Sequence, residues 1–252
     1  SRMTEAETVA MFSDVAHALA KAFWPGPLTL VLPAAAGDRV SELARAGLES
    51  IAVRVPGHAL AREVIALLGE PIVAPSANKS GGVSPTRPDH VLSDYGGAVP
   101  VLDGGPCTAG IESTIIGLVD EAPVLLRPGA IPASVIESVT GQPLAIRHDA
   151  DIVAPGMMAS HYAPNSPVRL LADGKKPGES LLGFAGTPGA DLDLSAKGDL
   201  QEAAANLFAF LRQLDALGRP IAVARIPDEG LGAGINDRLA RAAAPRPSSP
   251  SA

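Results

Sequence analysis

The chain has 252 residues, 46% of them hydrophobic and 19% charged, with a formal net charge of -7. That is enough to bury a core across one large or two modest domains, and the acidic balance argues against a general nucleic-acid-coating protein without excluding a local basic cleft. Cys107 is the single cysteine, which excludes an internal disulfide, and no apolar run approaches the roughly 20 residues of a membrane span. With no signal-peptide-like apolar region at the start, the expected setting is a reducing cytoplasm.

Taken in chain order, Thr4–Ala22 reads as one helix, with Val9, Phe12, Val15, Ala16 and Leu19 at helical spacing and Thr4 and Glu7 as a capping box. Pro25-Gly26-Pro27 breaks it. Strands are expected at Leu28–Leu32, Ile51–Val55 and Ile72–Ala74, with a helix over His58–Leu68. A helix near Pro88–Leu92 precedes a possible strand at Val99–Asp103. Ser113–Val119 and Pro123–Arg127 read as paired strands, and Pro132–Thr140 as a short helix. After Pro143 the periodicity fades. A second unit then follows, with strands Val168–Leu171, Leu181–Phe184 and Ile221–Ala224 and helices Leu200–Leu217 and Asn236–Ala244, the last with Asn236 as its N-cap. This order predicts an α/β (α+β, mixed-sheet) first domain over 1–143, a linker over 144–165, a small α/β domain over 166–244 and a disordered tail over 245–252.

The segment Pro71–Thr86 carries the densest chemistry. A short apolar run gives way to Ser76, Asn78, Ser80, Gly81, Gly82, Ser84 and Thr86. Small polar side chains and open backbone N–H groups suit a polyanionic ligand such as a nucleotide triphosphate; a solvated loop has the same composition. Arg54 stands in an otherwise apolar strand, where a guanidinium is costly unless a carboxylate meets it. The alternatives are a salt bridge to a neighbouring acid, an edge-strand position, or recognition of a substrate carboxylate. Ser50 precedes the same strand. Ser113 heads another strand and Arg127 closes its partner, placed to reach a phosphate or simply solvent. The linker holds Met157, Met158, His161 and Tyr162, large side chains for a flexible connection. They suit either a lid over a ligand or packing against a surface. The five histidines are dispersed, no Walker sequence is present, and no covalent nucleophile is evident. A site of hydroxyls, amides and arginines positions reactants and neutralises phosphate charge.

Several stretches together resemble the L-threonylcarbamoyladenylate synthases in their two-domain, YrdC-like form. They include Trp24-Pro25-Gly26-Pro27-Leu28-Thr29, Ala52-Val53-Arg54-Val55-Pro56, Ala74-Pro75-Ser76-Ala77-Asn78 and Ser84-Pro85-Thr86. Gly110–Ile115, Leu126-Arg127-Pro128-Gly129, Ala154–Met157, His161–Pro164 and the pair Gly230–Gly232 with Asp237–Leu239 continue the match in order.

The resemblance implies a YrdC-like domain followed by a small Rossmann-like C-terminal domain. It implies synthesis of threonylcarbamoyl-AMP and pyrophosphate from L-threonine, bicarbonate and ATP, with Mg2+ carried on the phosphates. The product would serve tRNA threonylcarbamoyladenosine at position 37, so tRNA and tRNA-modification proteins are indirect partners. By residue, Arg54, Ala74 and Ser113 would hold threonine. Ser50, Ser76, Asn78, Ser84, Arg127 and Tyr162 would meet ATP. The family pattern also includes a Pro-Thr-Glu-Thr-Val-Tyr-Gly-Leu-type strand and a Lys-x-Arg segment, which would fall about 60 residues' worth of chain before Ser1, within ordinary domain sizes. Without them the chain as written is expected to show little synthase activity on its own. A non-catalytic RNA-binding or regulatory module on the same scaffold is the alternative, and the oligomeric state is left open.

Overall fold

A computed structural model describes residues 2–37, 40–119, 122–146 and 161–245. In chain order the elements are α1 (Met3–Ala6), α2 (Asp14–Phe23), β1 (Leu28–Pro33), β2 (Ser50–Val53), α3 (Ala59–Leu68), α4 (Pro88–Tyr95), β3 (Thr114–Gly117) and β4 (Val124–Arg127). They continue with α5 (Ala133–Thr140), β5 (Ala145–Ile146), β6 (Val168–Arg169), β7 (Ser180–Gly183), β8 (Leu192–Asp193), α6 (Leu200–Asp215), β9 (Ile221–Val223) and α7 (Leu231–Ala243). The chain divides into two compact units, Ser1–Pro75 with Glu112–Met157 and Ser76–Ile111 with Met158–Ala252. The segment expected inside the first domain, Ser76–Ile111, thus packs with the second unit.

The first unit is built on a mixed sheet in the order β2-β1-β3-β4-β5. β1 pairs antiparallel with β2 and parallel with β3; β3 and β4 are antiparallel, as their sequence spacing predicts. Alternation along β1 sends Leu28, Leu30 and Leu32 into one core with Leu19 of α2 and Ile136 of α5, joined by Ile51, Val53 and Ile116. Val31 and Ile115 point the other way, where they meet Leu126. Period-two side-chain direction therefore gives this sheet one face lined by helices and one without them.

The expected helix Thr4–Ala22 is in fact two. Met11 N donates to Pro33 O and Ala10 bridges Ala34, so the chain is extended between α1 and α2. Ser13 then caps α2 by accepting from Ala16 N, and Glu5 rather than Glu7 accepts from the backbone at the start of α1. Ile72–Ala74 and Val99–Asp103 are not strands. A strand needs a neighbour to bond, and no described segment pairs with either one, leaving Val73 66% exposed. Together with Leu67 and Leu68 on α3, Ile72 and Val73 form an exposed apolar stretch.

The second unit holds a four-stranded all-parallel sheet, β6-β9-β7-β8. α6 buries Ala203, Ala204, Leu207, Phe208, Leu211 and Leu214, an i, i+3/i+4 stripe, and α7 buries Ile235, Leu239 and Ala242. Asp199 caps α6 by accepting from Gln201 N and Glu202 N. α7 begins five residues before the expected Asn236. Asn236 lies inside the helix and donates instead to Ile226 O and Asp228 Oδ1. Gly232, inside the helix, is a glycine for packing: a Cβ there would lie 1.9 Å from Pro227 O. Gly110 is similarly constrained, with φ +70° and a hypothetical Cβ 2.0 Å from Ala204 O of α6. No helix among the described residues is long and apolar enough to cross a membrane.

Candidate functional site

In the first unit the expected residues collect on the sheet face away from α2 and α5. Ser50 and Ala52 alternate with the core residues Ile51 and Val53, and the same alternation, one residue past β2, sets Arg54 on that face. Ser113 shares the parity of Ile115. Its buried hydroxyl lies 2.7 Å from Thr29 Oγ1, on β1 two residues from Val31. Arg127, buried at the end of β4, donates from Nε and Nη2 to Ser113 O at 3.2 and 2.9 Å, and from Nη2 to Ser113 Oγ at 3.2 Å. Arg127 thus holds the turn that presents the Ser113 hydroxyl, besides any contact to ligand. Behind this row, Thr114 Oγ1 donates to Ile131 O and accepts from Ile131 N, locking the opposite face.

Arg54, like Arg62, Arg219 and Arg225, stands without a hydrogen-bond or ion-pair partner for its side chain among the described residues. The neighbouring acid that the sequence left open is therefore not there. Desolvation lowers its pKa from the usual guanidinium value without removing the charge. β2 is the edge strand of its sheet and Arg54, just past its end, is exposed, so the sequence's edge-strand alternative fits. A charged fork left without a protein partner there is still complementary to a carboxylate. Ala74 is exposed in irregular backbone, leaving its amide and carbonyl open.

In the second unit the loop from Ser76 to Thr86 is a built structure rather than a solvated link. The buried Asn78 amide donates from Nδ2 to Lys79 O at 2.8 Å and to Gly82 O at 3.2 Å, folding the loop on itself. Those two carbonyls fix the amide's orientation, so Asn78 Oδ1 faces the other way, buried and without a partner among the described residues. Thr86 Oγ1 is in the same condition. Buried acceptors are rarely left so, and each asks for a donor from ligand or water. Tyr95 of α4 donates to Asn78 O at 2.9 Å, and His90 Nδ1 accepts from Thr86 N at 3.1 Å. Burial, aided by the Arg212 charge, lowers the His90 pKa and keeps that acceptor neutral. Ser84 is buried in the loop, while Ser76 is exposed at its entry.

Tyr162, expected to meet ATP, is buried in the second unit at φ +60°. Its ring packs beside His161, Phe208 and the Arg238 guanidinium, whose Cζ is 5.5 Å from the ring centroid. The next residue ties to the loop: Ala163 N donates to Gly81 O at 2.9 Å. Met157 and Met158, the remainder of the lid expectation, lie outside the described residues. The structure therefore groups Ser50, Arg54, Ala74, Ser113 and Arg127 in one unit and Ser76, Asn78, Ser84 and Tyr162 in the other. Sequence gives Thr86 a place in the polar loop and Thr29 a place in a family motif but neither a role, because a threonine in or beside an apolar strand is the ordinary choice there. The hydroxyl pair with Ser113 and the unsatisfied Thr86 Oγ1 are visible only in the structure.

Among the described residues no group of three His, Cys, Asp or Glu side chains stands together as a metal cage.

Comparison with known proteins gives the family. Residues 1–129 match the Sua5/YciO/YrdC family, described as "Telomere recombination", and residues 131–244 match "Threonylcarbamoyl-AMP synthase, C-terminal domain". The threonylcarbamoyl-AMP synthase of Pyrococcus abyssi is 40% identical over 253 residues, covering 91% of this chain and 74% of the relative. That of Bacillus subtilis is 39% identical, covering 92% and 74%. Among solved structures, P. abyssi Sua5 complexed with L-threonine superposes with a TM-score of 0.87 at 35% identity, covering 96% of this chain and 78% of that one. With both domains matched in order and two relatives near 40% identity, the chain belongs to the threonylcarbamoyl-AMP synthase family.

Proposed function

We propose that this protein joins L-threonine, bicarbonate and ATP into threonylcarbamoyl-AMP with release of pyrophosphate, and that the product supplies threonylcarbamoyladenosine formation on tRNA. The observation that carries this reading is Arg54: a charged, partly desolvated guanidinium without a protein partner among the described residues, on a sheet face with Thr29 and Ser113. It is the fork that an amino-acid carboxylate requires, and the Ser113 hydroxyl offers the threonine side chain or amine a polar neighbour. The P. abyssi relative solved with L-threonine supports the same ligand.

The chemistry asks little covalent work of the protein. Threonine's ammonium and bicarbonate condense to a carbamate, releasing water and a proton. A carbamate oxygen then attacks the α-phosphorus of ATP, and the bond to pyrophosphate breaks. Catalysis is then positioning and charge stabilisation. Arg54 and Ser113 fix the amino acid, with Arg127 holding the Ser113 turn. The Ser76–Thr86 loop takes the nucleotide through Ser76, Ser84 and the buried acceptors Asn78 Oδ1 and Thr86 Oγ1, which suit ribose hydroxyl or adenine amino donors. Magnesium on the phosphates would neutralise charge in the transition state.

The test is pyrophosphate release by the full-length protein. It should require threonine, bicarbonate and ATP together, and Arg54→Ala should raise the threonine KM with little change in that for ATP. Release that is indifferent to threonine would refute the reading.

A further inference from the structure

We infer that Arg212, on helix α6 of the second unit, is a positioning residue for the nucleotide loop, so that the C-terminal domain sets the shape of the Ser76–Thr86 segment. Arg212 lies 128 residues from that segment in sequence, and nothing in the proposed chemistry requires it. Its guanidinium nonetheless makes four bonds in one place. Nη1 and Nη2 donate to the two carboxylate oxygens of Asp94, on α4, at 3.0 and 2.7 Å. Nη2 also donates to Val83 O at 2.5 Å and Nε to Ser84 O at 3.4 Å. One planar fork therefore joins α6, α4 and two consecutive carbonyls of the loop. All four residues belong to the second unit.

Three features separate this cluster from an ordinary surface ion pair. The two side chains are only 18% and 19% exposed, so their attraction is weakly screened compared with solvent-exposed pairs. The Arg212 hydrogen bond holds the Asp94 carboxyl below its usual pKa, so the pair stays charged well into acid. The carbonyls it takes belong to Val83 and Ser84, the residues that set where the buried Ser84 side chain sits. The same helix also packs on the backbone of Gly110, downstream of the loop, so tightly that no Cβ fits. Tyr95 and His90 hold the loop's two ends from α4, which Asp94 ties to Arg212. The loop is thereby clasped at both ends by α4 and in the middle by α6. A lysine offers a single point of charge and cannot replace the fork.

This inference rests on the proposed synthase reaction, and its test separates the two. In the full-length protein, wild-type pyrophosphate release that depends on all three substrates establishes the reaction first; its absence overturns the reaction, not the clasp. Given the reaction, Arg212→Lys and Asp94→Asn are expected to raise the ATP KM about tenfold while leaving the threonine KM within twofold. The double variant should be no worse than the worse single one, as one shared device requires. Hydrogen exchange over residues 79–86 should accelerate in both variants while α7 stays protected, a readout that needs no activity. An unchanged ATP KM with unchanged exchange in the loop would overturn the inference. So would an equal loss for both substrates with exchange raised throughout the unit, since that would mark a merely structural pair.

Discussion

The two units use arginine differently. In the second, Arg169 grips Glu179, Arg212 grips Asp94, and Arg238 and Arg241 share Asp237. Each of these cations meets an acid, and Arg169 and Arg212 also hold backbone carbonyls. In the first, Arg127 holds backbone in the same way, but Arg54, exposed at the end of the edge strand, has no such partner among the described residues. A cation already matched by protein has little left for a ligand, whereas an unmatched one retains its full attraction for an incoming anion. Under the proposed function, the first unit would recognise the amino-acid carboxylate, while the second would act as a framework that shapes a loop.

The largest effect is expected from the framework. Gly110→Ala imposes a Cβ on a +70° backbone and into Ala204 O, combining αL strain with overpacking for a loss of about 3–5 kcal/mol. A thermal melt of the variant should show it as a clear drop in Tm; a melt unchanged from wild type would mean that the segment does not dock on α6 as described. Next comes Arg54→Ala, for which calorimetric titration should weaken threonine binding about 100-fold, or about 2.7 kcal/mol. Its Tm should hold or rise slightly, because no protein contact is lost. A stability loss with intact threonine affinity would erase the contrast between the units.

Thr29→Val sharpens the first unit further. The change keeps shape but removes the hydroxyl 2.7 Å from Ser113 Oγ, and a threonine KM about five- to tenfold higher is expected, in line with about 1 kcal/mol for one hydrogen bond. An unaltered KM would leave that hydroxyl pair with a folding role only.

The smallest effects concern pH, and both lie in the second unit. His90 has a lowered pKa, so the folded loop prefers the neutral ring. Its contribution is complete above the ordinary histidine value of 6.5 and is lost as pH falls from there through the folded pKa. His90→Gln should flatten this part of the stability–pH curve. Glu179 is lowered to about 2 by Arg169 and the Lys176 N–H, so its contribution persists above 4.5 and fades only as pH falls toward about 2. Stability lost across the higher window should therefore respond to His90 and not to Glu179→Gln.

Much of this was readable before any coordinates. Alternation in Leu28–Leu32 and the helical stripe of Leu200–Leu217 set up both layers, and Arg54 announced itself as a charge in an apolar strand. The failures share a cause: sequence shows what a segment would accept, not what its neighbours supply. Ile72–Ala74 has strand composition but no described segment to pair with. The helical spacing from Thr4 to Ala22 runs through Ala10, which a bridge to Ala34 pulls straight. Gly232 likewise shows its packing role only through the approach of Pro227 O. Nothing in the sequence singles out Arg212; its role shows only through Asp94, Val83 and Ser84, more than a hundred residues away.

Cys107 has a practical consequence. It is the sole thiol in the sequence, it is exposed, and its backbone N–H donates to Thr86 O at the end of the clasped loop. A maleimide dye or nitroxide attached there needs no engineered mutation. It would sit one hydrogen bond from the segment whose response to adenine nucleotides is in question, so a fluorescence or spin-label titration can follow that response in the unaltered chain.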